Sequence, residues 1–104
     1  GDILTLAGPG GTVRILALAI GSEAEEVAGV RRVQIVQVGS TTLTVKFEPE
    51  AGADRARVAT AVQRQLQDFL ARQGLANVAV SMSHDPPQQE RSGKFRQVYR
   101  ESTA

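Results

Sequence analysis

The chain has 104 residues, of which 41% are hydrophobic, and its formal net charge at pH 7 is +1. This length suits one domain, residues 1–104, that buries enough apolar surface to fold without cross-links. Twelve basic residues nearly balance eleven acidic ones, and the aromatic residues are one tyrosine and three phenylalanines. The composition therefore argues against nucleic acid and anionic membranes as partners, because it provides neither a basic field nor a base-stacking platform.

Cysteine is absent, which excludes disulfides, thiol nucleophiles and cysteine metal sites and suits a reducing compartment. The longest apolar run, residues 15–20, is too short to cross a bilayer, and no basic segment precedes it as in a signal peptide. We therefore predict a cytoplasmic location. The sequence opens at Gly1 directly into a strand-like segment, so we expect that it is cut from a longer protein.

Two short apolar segments, residues 3–6 and 12–16, flank a stretch that contains Gly8, Gly10 and Gly11. Glycines between strand-like segments are typical of a reversing turn, and a hairpin is predicted over residues 1–18. The alternative is a phosphate-binding loop. It is disfavoured because the spacing matches neither common glycine fingerprint.

A first helix is predicted to begin at Ser22 and to end near Gly29. Ser22 and Glu25 have the spacing of a capping box, and Glu23 and Glu26 would join Glu25 in the first helical turn. Carboxylates there complement the helix dipole, so this cluster is interpreted as helix chemistry and not as an acid/base pair.

Residues 32–48 are rich in β-branched side chains and predict two strands that reverse at residues 39–41. The second strand alternates apolar and polar residues, which indicates one wet face. In the first strand the alternation slips between Ile35 and Val36, which predicts either a bulge or burial on both faces.

A long helix follows, capped by Asp54 and stopped by Gly74. Its apolar positions recur at three- and four-residue spacing. They are Val58, Val62, Leu66, Phe69 and Leu70. Alternating Val78, Val80 and Met82 predict a final core strand.

The predicted fold class is α+β: a small two-layer domain with a mostly antiparallel sheet and two helices on one face. Within it we distinguish the hairpin at residues 1–18, an α-β-β-α-β core at residues 19–83 and a tail at residues 84–104. The lone histidine, His84, has only Asp85 as a nearby co-ligand, so we predict no metal site.

The tail carries the strongest candidate for chemistry, the pair Gly93-Lys94, in a polar segment. Glycine permits close backbone approach and lysine supplies a compact positive charge, so the pair suits a phosphate or a carboxylate ligand. The alternative is a solvated basic tail.

Three segments together resemble the C-terminal lid domain of adenylate-forming (AMP-binding) ligases, and the pattern is similar to phenylacetate–coenzyme A ligases and their capsule-biosynthesis relatives. They are residues 30–37 (VRRVQIVQ), 69–75 (FLARQGL) and 91–96 (RSGKFR). In that family the lid closes over a large N-terminal adenylation domain, which binds ATP and a small carboxylic acid.

The resemblance implies that Lys94 is the catalytic lysine of adenylation, that Gly93 allows its approach, and that Asp2 is the last residue of the hinge. The loop of Gly8, Gly10 and Gly11 would face the active site when the thioester forms. ATP would serve the full-length enzyme, and the acyl acceptor stays open between coenzyme A, a carrier protein and none. The phosphate loop of the family has no counterpart here, so the chain alone is expected to bind no cofactor and to be inactive.

Two alternatives stay open. One is a free-standing ferredoxin-like regulatory module that binds a small molecule and pairs through its sheet, and the other is a purely structural interaction domain.

Overall fold

The computed structural model describes residues 2–89, 92–93 and 95–101. In chain order, its elements are β1 (Ile3–Gly8), β2 (Gly11–Leu16), α1 (Ala17–Glu25), β3 (Val30–Gly39), β4 (Thr42–Pro49), α2 (Arg55–Arg72), β5 (Ala79–Met82) and β6 (Val98–Arg100).

The strands form two sheets. Strands β1 and β2 make an antiparallel hairpin of their own, while the other four make a sheet in the order β5-β4-β3-β6. The long central pairing of β3 with β4 is antiparallel, and the two short outer pairings are parallel. Both helices pack on the core side of this sheet. The predicted α+β class and the N-terminal hairpin are confirmed, whereas the parallel edges were not predicted.

Helix α2 matches its sequence pattern closely. The Asp54 side chain accepts a hydrogen bond of 3.2 Å from the backbone N–H of Arg57, as expected of an N-cap. The inward stripe of Val58, Val62, Leu66 and Leu70 is fully buried. Hydrophobic burial of this stripe fixes the helix against β4 and β5.

The prediction that the first helix begins at Ser22 is wrong. Helix α1 starts at Ala17 and ends at Glu25, and the carbonyl of Ser22 accepts a hydrogen bond from the N–H of Glu26 inside its last turn. Burial decides the start, because Ala17, Ile20 and Ala24 form one apolar face with helical spacing. The acidic residues consequently lie at the end of the helix and not in its first turn.

Strand β3 is buried on both faces, as one of the two sequence alternatives states. Val33 and Ile35 belong to the core on the helix side, while Gln34 and Val36 on the opposite face are only 1% and 5% exposed. Register shifts lie at the ends of the pairing, between Val30/Arg32 and between Gln37/Gly39, and not beside Ile35.

The assignment of residues 84–104 to a tail needs correction, because the chain returns to the sheet. Strand β6 pairs in parallel with β3, with Val98 opposite Ile35, and the Val98 side chain is buried in the core. A strand of three residues is too short to show a period in the sequence. The solvated-tail interpretation is therefore wrong for Val98.

The stripe of α2 gives a direct test of the core. Leu66→Ala should lower the free energy of unfolding by about 2–5 kcal/mol, because the truncation leaves a cavity at a fully buried position. Arg64→Ala, on the exposed face of the same helix, should change it by less than about 0.5 kcal/mol. Urea unfolding followed by circular dichroism measures both, and equal effects would contradict the assigned face.

Candidate functional site around residues 92–98

The Gly93-Lys94 pair lies in the connection between β5 and β6. Lys94 itself lies outside the described residues, whereas Gly93 and Phe95 on either side of it are described. Gly93 has a φ of 85°, in the left-handed region that side chains with a Cβ rarely adopt. A glycine is therefore required before Lys94 by the path of the backbone.

One buried side chain holds both sides of the loop that carries this pair. The Gln34 amide nitrogen donates to the carbonyls of Gln88 and Arg96, each at 3.0 Å, and the Gln34 amide oxygen accepts from the N–H of Gln88 at 3.1 Å. Both amide hydrogens of Gln34 are thereby used. Because Gln88 and Arg96 bind the same amide, the loop between them is closed at its neck.

Further contacts fix the segment that follows Lys94. The Arg32 guanidinium lies 4.2 Å from the centre of the Phe95 ring, a cation–π arrangement. The carbonyl of Gln97 accepts a hydrogen bond of 2.7 Å from the N–H of Ile35, and the Gln97 side-chain amide donates to the Glu25 carboxylate. Residues 95–98 are thus attached to both β3 and the end of α1.

Helix α1 approaches this segment closely at Gly21. A Cβ built at Gly21 would collide with the Gln97 side-chain oxygen, so the lack of a side chain there makes room for Gln97. Gly21 is itself buried. A larger residue at this position would require the flexible end of the Gln97 side chain to move, whereas glycine within a helix costs some stability relative to alanine.

Asp2 and the segment after Lys94 meet at a shallow depression of about 270 Å³. Asp2 is held there by its carbonyl, which accepts a hydrogen bond of 2.9 Å from the N–H of Ala17. The lining residues are Asp2, Ala17, Leu18, Phe95, Arg96, Gln97 and Val98. The structure therefore brings the proposed hinge residue close to the neighbours of Lys94.

The glycine loop of the hairpin lies elsewhere. Gly8, Gly10 and Gly11 are at the tip of the hairpin, five strand steps from Ile3, which corresponds to roughly 17 Å. The tip is tied down by the Ala7 N–H, which donates to the Ser40 carbonyl at 2.8 Å, and by the Ala7 carbonyl, which accepts from the Asn77 side chain at 2.8 Å. The structure does not bring this loop together with Asp2 and Phe95.

An exposed apolar patch borders the depression. Ile3, Leu16 and Leu18 are 43%, 58% and 78% exposed, and Ile3 pairs directly with Leu16 in the hairpin. Sequence reasoning missed this patch, although the alternation of β1 and β2 offers a signal: Leu4 and Ile15 are buried, so their neighbours Ile3 and Leu16 face outward. Exposed apolar groups that lie together are typical of a surface that contacts another protein domain.

The described residues offer no metal centre. None of the groups of histidine and acidic side chains among residues 2–89, 92–93 and 95–101 could hold a metal ion. The described part of the site instead consists of backbone carbonyls and the guanidinium of Arg32 over the Phe95 ring.

Comparisons with known proteins do not identify a family for this chain. No family model matches it, and no curated protein sequence is significantly similar to it. In the part of the chain that the structure describes, no helix has the length and apolar content needed to cross a membrane.

The Gln34 contacts predict a measurable effect. Gln34→Leu removes three hydrogen bonds and leaves backbone groups of Gln88 and Arg96 without their partner, so stability should fall by roughly 2–4 kcal/mol. Amide hydrogen exchange should accelerate across residues 88–98.

Gln37→Leu is the matched control. Gln37 is a second buried glutamine of β3, and its amide nitrogen donates to the carbonyls of Thr5 and Gly39 at 2.8 and 3.0 Å. Loss of the Gln37 amide should accelerate amide hydrogen exchange in the β1–β2 hairpin instead. Unchanged exchange at residues 88–98 in Gln34→Leu would show that Gln34 does not hold the loop.

Proposed function

We propose that this chain is the C-terminal lid of an AMP-forming acyl- or aryl-coenzyme A ligase-like enzyme, and that Lys94 supplies the positive charge for adenylation of a carboxylate. The observation that carries the proposal is the depression shared by Asp2 and residues 95–98. A lid of this family requires its hinge and its lysine-bearing segment on one body that turns toward the active site, and the depression is consistent with that requirement.

The attachment of the loop supports the same function. A lid transmits a rotation at Asp2 to Lys94 only if the loop moves together with the sheet. The Gln34 bonds and the pairing of β6 tie both sides of the loop to β3. Rotation about the hinge would therefore move the loop and the sheet as one unit.

In this proposal the chemistry of Lys94 is electrostatic. As the carboxylate attacks the α-phosphate of ATP, negative charge builds up on the phosphoryl oxygens, and a preorganised ammonium stabilises it. The adenylation domain would bind the ATP, the coenzyme A and most of the small carboxylic acid. The chain alone then remains inactive, and the full-length enzyme would act in the cytoplasm.

The apolar patch of Ile3, Leu16 and Leu18 gives the adenylation domain a surface to contact. It borders the same depression, so the hinge, the patch and residues 95–98 form one continuous face. Burial of apolar groups at this face would favour the closed state of the lid.

The arrangement of strands argues against the ferredoxin-like alternative. A split βαβ unit has a strand inserted between its two parallel strands, and the strand before the first helix belongs to the same sheet. Here β4 and β5 are adjacent, and among the described residues β2 pairs only with β1. A regulatory module that pairs through its sheet would in addition be a dimer, which sedimentation of the chain tests.

Lys94→Ala should separate the two half-reactions of the full-length enzyme. We expect adenylate formation, measured by pyrophosphate exchange, to fall on the order of a hundredfold or more, because charge develops at the phosphate only in that step. Thioester formation from supplied acyl-adenylate should change far less. Lys94→Arg should rescue poorly, since a planar guanidinium does not replace a compact ammonium.

Lys46→Ala is the matched control. Lys46 is the other lysine of the chain and lies on β4, away from the depression, so both half-reactions should stay near the wild-type rates. Equal losses of both half-reactions in Lys94→Ala would mean that the residue only maintains the lid, and full activity would remove its proposed role.

The chain alone should not bind ATP tightly. A single lysine without phosphate-binding backbone amides gives little affinity in water, so titration calorimetry should find no binding tighter than about 1 mM. Micromolar affinity would favour a self-contained nucleotide site and contradict the lid proposal.

A further inference from the structure

A groove runs along the edge of the four-stranded sheet farthest from β6. It lies between the outer strand β5 and helix α2 and encloses about 740 Å³. We call it the edge groove and define it by Ala56, Ala59 and Gln63 of α2 together with Ala79–Met82 of β5. In the described part of the chain, no strand pairs with the outer side of β5.

The outward-facing backbone groups of β5 are positioned to pair with another strand. The N–H groups of Ala79 and Ser83 point toward β4, where they donate to the carbonyls of Thr41 and Val45 at 2.8 Å. Because successive N–H groups of a strand alternate in direction, those of Val80 and Met82 point away from β4 into the groove. They are hydrogen-bond donors on an open edge.

A side chain already occupies one position of a missing strand. The Gln63 amide nitrogen donates to the carbonyl of Val80 at 2.8 Å, which is the bond that an added strand would supply from its backbone. Gln63 is only half-buried, so it can be displaced without breaking the core. The Val80 carbonyl on the open edge of β5 is thus covered by one side-chain hydrogen bond, which an added strand can displace.

The side chains along the walls and at one end of the edge groove determine which peptide side chains fit there. Alanines and Val80 leave space for small or β-branched side chains. At the end, the Arg55 guanidinium lies 4.7 Å from the centre of the Phe47 ring and 3.4 Å from the carbonyl of His84. No described carboxylate forms an ion pair with Arg55. The carboxylate of Asp54, next to Arg55 in the chain, accepts the capping bond from Arg57, and Asp85, next to His84, lines a depression on the other face of the sheet.

We propose that the edge groove binds an extended peptide segment of a partner protein, which adds as a strand beside β5 and places an acidic side chain at Arg55. Main-chain hydrogen bonds would provide affinity, and the small pockets and the basic end would provide specificity. A second copy of the chain fits less well, because two Gln63 side chains and two α2 helices would meet at the shared edge.

This inference does not rest on the proposed function. The edge groove and the depression near Asp2 lie at opposite edges of the sheet. A substitution can therefore abolish peptide binding at the groove and leave the proposed lid activity intact, or the reverse.

Two synthetic peptides test the proposal. Both are acetylated, amidated chains of alternating valine and threonine, one flanked at each end by two glutamates and the other by two lysines. The glutamate peptide should bind the 104-residue chain with a dissociation constant on the order of 10–500 µM, and the lysine peptide at least about tenfold more weakly. Isothermal titration calorimetry measures the affinities.

Hydrogen exchange locates the bound peptide. The amide protons of Val80 and Met82 should exchange more slowly in the complex, because they become ladder donors. A purely ionic association at Arg55 would leave them unchanged and would overturn the proposal. So would the absence of saturable binding at millimolar peptide, or a β5-paired dimer of the chain in sedimentation experiments.

Three variants sharpen the test. Arg55→Ala should weaken the glutamate peptide by about fivefold or more, and Gln63→Ala should tighten it severalfold by freeing the Val80 carbonyl. Met82→Pro removes an outward donor at an edge position where proline is tolerated, and should abolish binding. If Met82→Pro does not fold, the test rests on the opposite changes in glutamate-peptide affinity expected for Arg55→Ala and Gln63→Ala. Equal peptide affinities in these two variants would reject the proposal.

Discussion

Two buried glutamines on the central strand β3 connect the peripheral parts of the molecule to its core. Gln34 and Gln37 are 1% and 4% exposed and, being three residues apart, point to opposite faces of the sheet. Gln37 holds the carbonyl of Thr5 in the hairpin, and Gln34 holds the loop that carries Gly93 and Lys94. Each hydrogen bond made contributes about 0.5–1.5 kcal/mol net, so each glutamine favours the arrangement in which its partner segment is docked, although Gln37 Oε1 has no hydrogen-bond partner among the described residues. The hairpin also contributes Leu4, Leu6 and Ile15 to the core, so Gln37 adds a specific polar contact to its hydrophobic anchoring, whereas the C-terminal loop is attached mainly by Gln34 and the pairing of β6.

The sheet separates two surfaces with different chemistry. At the β6 edge, backbone carbonyls, an exposed apolar patch and the segment next to Lys94 surround Asp2. At the β5 edge, open backbone donors and a basic end surround a groove of small side chains. The rigid β3–β4 pair lies between them. Binding at one edge therefore need not disturb the other.

The helical stripe of α2 and the β3–β4 hairpin were predictable because their signals are local and periodic. The start of α1 was not predictable, because residues 22–25 match a capping box as well as any true helix N-terminus does. Only the burial of Ala17 and Ile20 shows that the helix begins before Ser22. Nothing local indicates the role of Gln34 either, since its partners are 54 and 62 positions away. The short strand β6 is likewise specified by its neighbour β3 and not by its own three residues. The candidate site consists mostly of such distant contacts, which explains why the sequence indicated Asp2 and Gly93 but neither Gln34 nor the apolar patch.

Closure of the loop neck by a single side chain has a consequence for variation. The ends of the segment between Gln88 and Arg96 are fixed by bonds to their backbone atoms, so this anchoring does not depend on the side chains at the two ends. Each doubling of loop length adds only about 0.6 kcal/mol of closure entropy. A longer insertion in this segment would therefore be compatible with the same scaffold, provided that Gln34, the glycine at position 93 and the aromatic ring beside Arg32 are kept.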